Sequence, residues 1–147
     1  MKFNQELFDT SDEEGKQLLI AFLEKKGHII SQNSDKYGID LFSEKDGKTY
    51  NWEVEMKSRR PWTSMADFPF ESVSFLKRKS KWDNFWYVII CRETRAAIVC
   101  HSSVIFDEDY NEKIYIKTSY RNGSDNFYRV PKEKCIFVPP NEFIDER

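Results

Sequence analysis

The chain has few of the residues that build disulfide or zinc scaffolds. Its three cysteines, Cys91, Cys100 and Cys135, are odd in number and far apart, and no CxxC or Cys/His metal spacing occurs among the 147 residues. Disulfides and structural zinc are therefore not expected. Each cysteine lies in an apolar run, which predicts small buried side chains and a reducing, cytoplasmic environment.

Several other signals are also absent. No apolar run is long enough for a transmembrane helix, and the opening MKFNQELFDT lacks the apolar region of a signal peptide. There is no P-loop, dinucleotide fingerprint or GxSxG motif. The two histidines, His28 and His101, are isolated and are predicted to be structural. Cys100 precedes His101 directly, so the two would point apart on a strand, and a thiol protease is not expected.

The composition is that of one folded domain, with 39% apolar, 16% aromatic and 33% charged residues. The net charge of −2 does not indicate a nucleic-acid binder, but its distribution is uneven. Residues 1–55 carry seven basic and twelve acidic side chains, whereas residues 56–82 carry seven basic and two acidic ones. A basic segment after an acidic region suits a metal-dependent enzyme that acts on a polyanion. A solvated loop is the alternative.

The pattern of apolar residues predicts a helix followed by a three-strand meander. The helix is expected over 12–26, capped by Thr10 or Ser11 with Ser11-x-x-Glu14 as a capping box, and ended by Gly27. Strands are expected over 28–33, 39–43 and 49–57, with Asp46-Gly47 as a tight hairpin turn.

The second half is predicted to be richer in strands. Residues 73–84 are predicted as a helix, with a strand and turn as the alternative. A buried strand (85–91), its hairpin partner (96–101), a short helix (102–106), a second hairpin and a last edge strand at 135–138 follow. The fold class is α/β or α+β with one mixed sheet, comprising a core over about 12–101 and a β-rich extension over about 102–147.

The stretch from Asp40 to Lys57 carries the strongest chemical signal. Residues two apart on a strand point the same way, so Glu53, Glu55 and Lys57 share one face of the third strand. The intervening Trp52, Val54 and Met56 face the core. Charges gathered on a strand with an apolar back need partners, and a divalent metal would supply one. The alternative is the solvated face of an edge strand.

Gly38-Ile39-Asp40, followed after fourteen residues by Glu55-Met56-Lys57, resembles the motif of the PD-(D/E)XK nuclease superfamily. Within it, the chain is most similar to small Holliday-junction resolvases and to phage or restriction-like endonucleases. The likeness covers about residues 12–60 and the apolar strand at 85–91. It implies a restriction-endonuclease-like core, in which a central mixed sheet is flanked by helices.

The resemblance also implies roles for individual residues. Asp40, Glu55 and the Met56 carbonyl would bind Mg²⁺ or Mn²⁺, with Glu53 as an accessory ligand or a surface residue. Lys57 would position and activate water. Glu14 would be the catalytic glutamate of the first helix, or else only the capping-box residue.

The basic segment supplies candidate phosphate contacts, which are Ser58, Arg59, Arg60, Lys77, Arg78, Lys79 and Lys81. Trp62, Phe68 and Phe70 are candidates for stacking on bases, and at least one of them is expected in the core instead.

The expected function is therefore a Mg²⁺-dependent endonuclease that cuts duplex or branched DNA in recombination or repair. The resemblance implies that cleavage leaves a 5′-phosphate. A homodimer is expected if the substrate is two-fold symmetric. Three alternatives stay open: a restriction or repair-type nuclease, a non-catalytic DNA-binding module with a degenerate nuclease fold, and a protein-interaction domain.

Overall fold

The computed structural model describes residues 5–32, 41–57, 60–76, 84–107, 112–117 and 124–143. The helices are α1 (Gln5–Lys25), α2 (Ser102–Ile105) and α3 (Pro140–Phe143), and a 3₁₀ turn spans Lys132–Lys134. The strands are β1 (Ile29–Gln32), β2 (Leu41–Lys45), β3 (Lys48–Lys57), β4 (Ser72–Leu76), β5 (Trp86–Cys91), β6 (Ala97–His101), β7 (Glu112–Lys117), β8 (Ser124–Pro131) and β9 (Ile136–Val138). None of the described helices is long and apolar enough to span a membrane.

A mixed six-stranded sheet forms the centre of the fold, in the order β1-β2-β3-β5-β6-β9. β3 and β5 are parallel and the other neighbours are antiparallel. This confirms an α+β fold with a mixed sheet. The prediction of one sheet is wrong, because β4, β8 and β7 form a second, three-stranded antiparallel sheet.

The long helix α1 covers one face of the central sheet. Leu19 and Leu23 are buried there against Trp52 and Val54 of β3. Gly15 lies closest to the sheet, since a Cβ atom built on it would be 3.6 Å from Cγ2 of Val54. The apolar back of β3 is therefore core, as predicted.

The start of α1 differs from the sequence prediction, and its end agrees with it. The helix already includes Gln5, so the capping box that starts at Ser11 is wrong; serine inside a helix costs only a few tenths of a kcal/mol. The predicted end is correct. Gly27 has φ +94°, and the amide of His28 donates to the carbonyl of Leu23, which is the usual glycine-based helix stop.

The other face of the central sheet packs against the three-stranded sheet. Tyr87 and Ile89 of β5 are buried with Phe75 of β4 and Val130 of β8. Among the described residues this face is covered mainly by strands, whereas the resemblance in sequence implies a central sheet flanked by helices.

The helix predicted over 73–84 is wrong in its described part, because Ser72–Leu76 is strand β4. Val73 and Phe75 are buried while Ser72 and Ser74 are not, which is the two-residue alternation of a strand with one face in the core. Its backbone pairs with β8 along one edge. Residues 77–83 lie outside the described part of the chain.

Other local predictions are confirmed. Asp46 and Gly47 both have positive φ, 52° and 77°, and join β2 to β3 in a two-residue hairpin turn. The hairpins β5–β6 and β7–β8, the short helix α2 and the edge strand β9 are also present. All three cysteines are free; Cys91 and Cys100 are buried and Cys135 is partly buried.

Candidate active site

Glu55 and Lys57 lie together on one face of β3, near the carboxyl end of the strand. The Lys57 Nζ is 3.8 Å from Oε1 of Glu55, and their side chains are 41% and 23% exposed. Both point away from α1, because the alternate residues Val54 and Met56 pack toward that helix. The Glu55 carboxyl group and the Lys57 amino group are therefore both accessible to solvent at this end of the sheet.

Tyr87 fixes the carboxylate of Glu55 from the protein interior. Its hydroxyl donates a hydrogen bond to Oε1 of Glu55 over 3.1 Å. The tyrosine is fully buried, and its ring meets Phe75 edge to face at a centroid distance of 5.0 Å. Sequence reasoning missed this residue, since the run FWYVIIC indicated only a buried strand.

Lys57 is held from the opposite side by the second sheet. Its Nζ donates to the backbone carbonyl of Ser74 on β4 over 3.3 Å. The pair therefore lies where β4 approaches the carboxyl end of β3. The basic run that begins at Lys77 follows β4 directly in the sequence.

The Met56 carbonyl has a favourable direction for ligand binding. The Lys57 carbonyl accepts from the amide of Arg92, so it points toward β5. Successive carbonyls of an extended strand point to opposite edges, so that of Met56 points toward the β2 side. β2 as described begins at Leu41, opposite Trp52, so no described strand pairs with β3 beyond that point. Its oxygen is thus directed to that edge of β3.

Glu53 lies on the same face of β3 as Glu55 but is only 1% exposed. This burial excludes the surface role that the sequence left open for it. A carboxylate at this depth is retained only with compensating partners, so Glu53 belongs to the interior of the site.

The donor set fits a hard divalent cation in part. Glu55 supplies a carboxylate and Met56 a carbonyl oxygen, and Mg²⁺ usually takes one or two carboxylates together with water and substrate phosphate. Asp40, the predicted second carboxylate, lies outside the described residues. Within the described ranges no three His, Cys, Asp or Glu side chains are grouped as metal ligands.

Glu14 is engaged with two arginines of the turn between β5 and β6. Its carboxylate forms an ion pair and hydrogen bond with the guanidinium of Arg95, and its Oε2 lies 3.9 Å from Nη2 of Arg92. The described contacts of Glu14 thus do not include Glu55 or Lys57. The two arginines were missed by sequence reasoning; the signal for them was the RETR turn directly after the buried strand.

The predicted phosphate and base contacts are described only in part. Arg60 is exposed, with its guanidinium 5.7 Å from the centroid of the exposed Phe70 ring. Trp62 is buried against Phe68 and Phe137, so it is a core residue rather than a stacking platform. The remaining predicted contacts, Ser58, Arg59, Lys77, Arg78, Lys79 and Lys81, lie outside the described residues.

The two histidines make structural contacts, as the sequence predicted. Nδ1 of His28 is 2.8 Å from the Ser43 hydroxyl, and burial lowers the pKa of His28. Nδ1 of His101 accepts from the amide of Ser103 and caps α2, while its Nε2 is 3.0 Å from Oδ1 of Asn84. Burial lowers the pKa of His101 as well.

No family model matches the chain, and the searches of curated proteins and of solved structures found no match either.

Proposed function

We propose that the protein is a metal-dependent endonuclease of the PD-(D/E)XK type, with a restriction-endonuclease-like core, that hydrolyses phosphodiester bonds in DNA. The observation that carries the proposal is the Glu55–Lys57 pair, held at 3.8 Å on one face of β3 at the carboxyl end of the strand. Hydrolysis of a phosphodiester needs an anionic metal ligand and a cation close to the attacking water. The pair supplies both groups, two residues apart on a strand that is hydrogen-bonded to β5.

Each residue has a distinct part in the proposed reaction. Asp40, Glu55 and the Met56 carbonyl are the proposed ligands of Mg²⁺ or Mn²⁺. When bound, the metal would polarise the phosphate and lower the pKa of water. Lys57 orients the attacking water and stabilises the negative charge that develops on the phosphate.

Supporting residues hold this geometry. The Tyr87 hydroxyl fixes Oε1 of Glu55 and leaves Oε2 for the ion, and the Ser74 carbonyl holds the Lys57 amine beside it. Such outer partners commonly decide how well a metal ligand is oriented. Glu53, buried on the same face of β3 as Glu55, is proposed as an accessory ligand of the metal.

The basic residues near the site in the sequence support a polyanionic substrate. The basic residues that flank the site in the sequence would hold the phosphate backbone, whatever the base sequence. Two cuts in a two-fold symmetric junction need two sites, so a homodimer is part of the proposal. Recombination or repair of DNA in the cytoplasm is the corresponding role.

The decisive experiment incubates the protein with junction, flap, single-stranded and plasmid DNA, with Mg²⁺ or Mn²⁺ and with chelator. We expect metal-dependent cleavage of at least one DNA form, leaving a 5′-phosphate. Glu55→Ala is expected to abolish cleavage, and Lys57→Met to reduce it by about 10²-fold or more, which is typical of losing one group that stabilises the developing charge. Both variants should still bind DNA.

Lys48→Ala is the matched control, because Lys48 is an exposed lysine at the other end of the same strand. It should cleave at the wild-type rate. If the wild-type protein cuts none of these DNA forms with either metal, the nuclease proposal is wrong.

A non-catalytic DNA-binding module is the second candidate. It would keep the fold and the basic residues without a complete metal site, since no three His, Cys, Asp or Glu side chains are grouped within the described residues. DNA binding without cleavage would establish this candidate.

A further inference from the structure

The cluster of Glu14, Arg92 and Arg95 is a second charged site at the same end of the sheet. We propose that Arg92 and Arg95 bind a backbone phosphate of the nucleic acid beside the one that is cut, and that the Glu14 carboxylate competes with this phosphate for them. The proposal rests on the proposed function and names a binding site for its substrate.

The cluster carries excess positive charge. Two guanidinium groups share the single carboxylate of Glu14, which balances only one of their two positive charges; the other acid of the turn, Glu93, contacts the Cys91 thiol. The side chains of Arg92 and Arg95 are 31% and 30% exposed, so solutes can reach them. Partly buried arginines that are not fully neutralised are suited to phosphate, which they bind bidentately through their planar fork.

The two arginines are bound to Glu14 unequally. Arg95 makes a hydrogen bond to the carboxylate, and its Nη1 is buried without a hydrogen-bond partner in the described part of the chain. Arg92 lies 3.9 Å from Glu14, which is too long for a hydrogen bond. Arg92 therefore keeps its donors available for a ligand, while Arg95 anchors the acid.

Two backbone hydrogen bonds close the turn that carries the arginines. The amide of Arg95 donates to the carbonyl of Cys91, and the Cys91 amide donates to the carbonyl of Ala96, both over 2.8 Å. Arg95 itself has φ +68°, a left-handed conformation that is unfavourable for a residue with a side chain. Such strain is retained where the surrounding structure fixes it, often at binding sites.

The position relative to Glu55 and Lys57 supports a shared substrate. The Arg92 amide donates to the Lys57 carbonyl over 2.9 Å, so the turn directly adjoins the end of β3. β3 and β5 are parallel and end together here, and ligands of such sheets bind beyond the carboxyl ends of the strands. A polyanion that crosses these strand ends would meet Lys57 on one face of the sheet and Arg92 on the other.

The test measures binding of a fluorescein-labelled DNA duplex by anisotropy over a series of salt concentrations, without Mg²⁺. Arg92→Ala should weaken binding and lower the magnitude of the slope of log K against log salt by about 0.9, the value for one lost phosphate contact. Arg92→Lys keeps the charge and should restore the slope. Lys48→Ala, the control at the far end of β3, should retain the slope of the wild-type protein.

Glu14→Gln gives the opposite expectation, because it removes the acid that competes with phosphate and keeps an oxygen for Arg95. It should raise DNA affinity and make inorganic pyrophosphate a stronger competitor. If Glu14 were a metal ligand, this variant would instead lose metal-dependent cleavage without gaining affinity. If the cluster were only a structural ion pair, thermal unfolding would shift while DNA affinity stayed constant.

An unchanged slope and affinity in folded Arg92→Ala overturns the phosphate site. Failure of this site can be told apart from failure of the proposed function. If Arg92→Ala still cleaves DNA and its salt slope is unchanged, the nuclease proposal stands and only the phosphate site is overturned. A lowered slope in a protein that never cleaves DNA supports the site and overturns the nuclease. A wild-type protein that binds no DNA at any salt concentration overturns both.

Discussion

The Tyr87 hydroxyl donates a hydrogen bond to Oε1 of Glu55 from a ring that is itself fully buried. The two residues belong to neighbouring parallel strands, and Glu55 lies opposite Ile89, two residues beyond Tyr87. The ring packs on Phe75 of the second sheet. The orientation of the candidate metal ligand therefore depends on how the two sheets pack together.

Removing this hydroxyl tests that dependence. Tyr87→Phe keeps the buried ring and leaves Glu55 without its anchor, so we expect stability to fall by about 1 kcal/mol, as for a partly exposed hydrogen bond. Metal-dependent cleavage should fall by about tenfold or more, the usual effect of losing a partner of a metal ligand. Urea unfolding and cleavage rates over a Mg²⁺ series measure the two effects.

Tyr50→Phe is the control, since Tyr50 lies on the other face of β3, where its ring stacks with Trp52. It should leave cleavage unchanged. Equal loss of cleavage in both variants would show that Tyr87 has no particular role toward Glu55.

Because α1 lies close to β3, we expect position 15 to accept only a small side chain. A Cβ atom there would lie 3.6 Å from Val54 and 3.8 Å from Met56, which is ordinary contact. Gly15→Ala should therefore fit and stabilise the helix by about 0.5–1 kcal/mol. Gly15→Leu should cost about 1–3 kcal/mol through overpacking. Chemical denaturation of both variants checks the sign change, and stabilisation by leucine would contradict the close packing.

We expect the free energy of unfolding to fall in mild acid because of His101. Burial lowers the pKa of His101 below its ordinary value of 6.5, so the unfolded chain binds a proton more readily than the folded one. The stability contributed by the neutral ring is present above pH 6.5 and is lost as the pH falls through the lowered value. His101→Asn retains an acceptor for the Ser103 amide and does not titrate.

The free energy of unfolding of this variant should decline less between pH 7 and pH 5 than that of the wild-type protein. Urea unfolding at several pH values measures both slopes. The decline that remains includes the contribution of His28, whose pKa is lowered in the same direction. Equal slopes would show that protonation of His101 does not oppose folding.

We expect a second loss of stability at lower pH because of Asp67. Its carboxylate accepts from the hydroxyl and amide of Thr63 and from the amide of Ser64, and these bonds lower its pKa from 3.8 to about 2. The stability that the charged form contributes is present above pH 3.8 and is lost as the pH falls toward 2. Asp67→Asn should lower the urea midpoint at pH 7 and have a smaller effect near pH 2. An equal difference at both pH values would contradict this assignment.

Much of the local structure was predictable from the sequence because neighbouring residues determine it. Asp46-Gly47 adopts the positive φ angles that a two-residue hairpin turn requires, and Gly27 ends α1 for the same conformational reason. The alternation along β3 placed Glu55 and Lys57 on one face and Trp52 and Val54 in the core. The helix prediction for residues 73–84 was wrong over its described part because the segment carries mixed signals. The lysines and arginines in its second half favour a helix, while Val73 and Phe75 favour a strand.

The sequence by itself determined the order of most elements and the pairing of an acid with a lysine on one strand. Only the tertiary structure decided what those side chains meet. Residues distant in the chain supply the partners: Tyr87 for Glu55, Ser74 for Lys57, and Arg92 and Arg95 for Glu14. Strand periodicity depends on adjacent residues and is visible in the sequence. Contacts across sheets depend on how the two sheets and α1 pack, which no local pattern encodes.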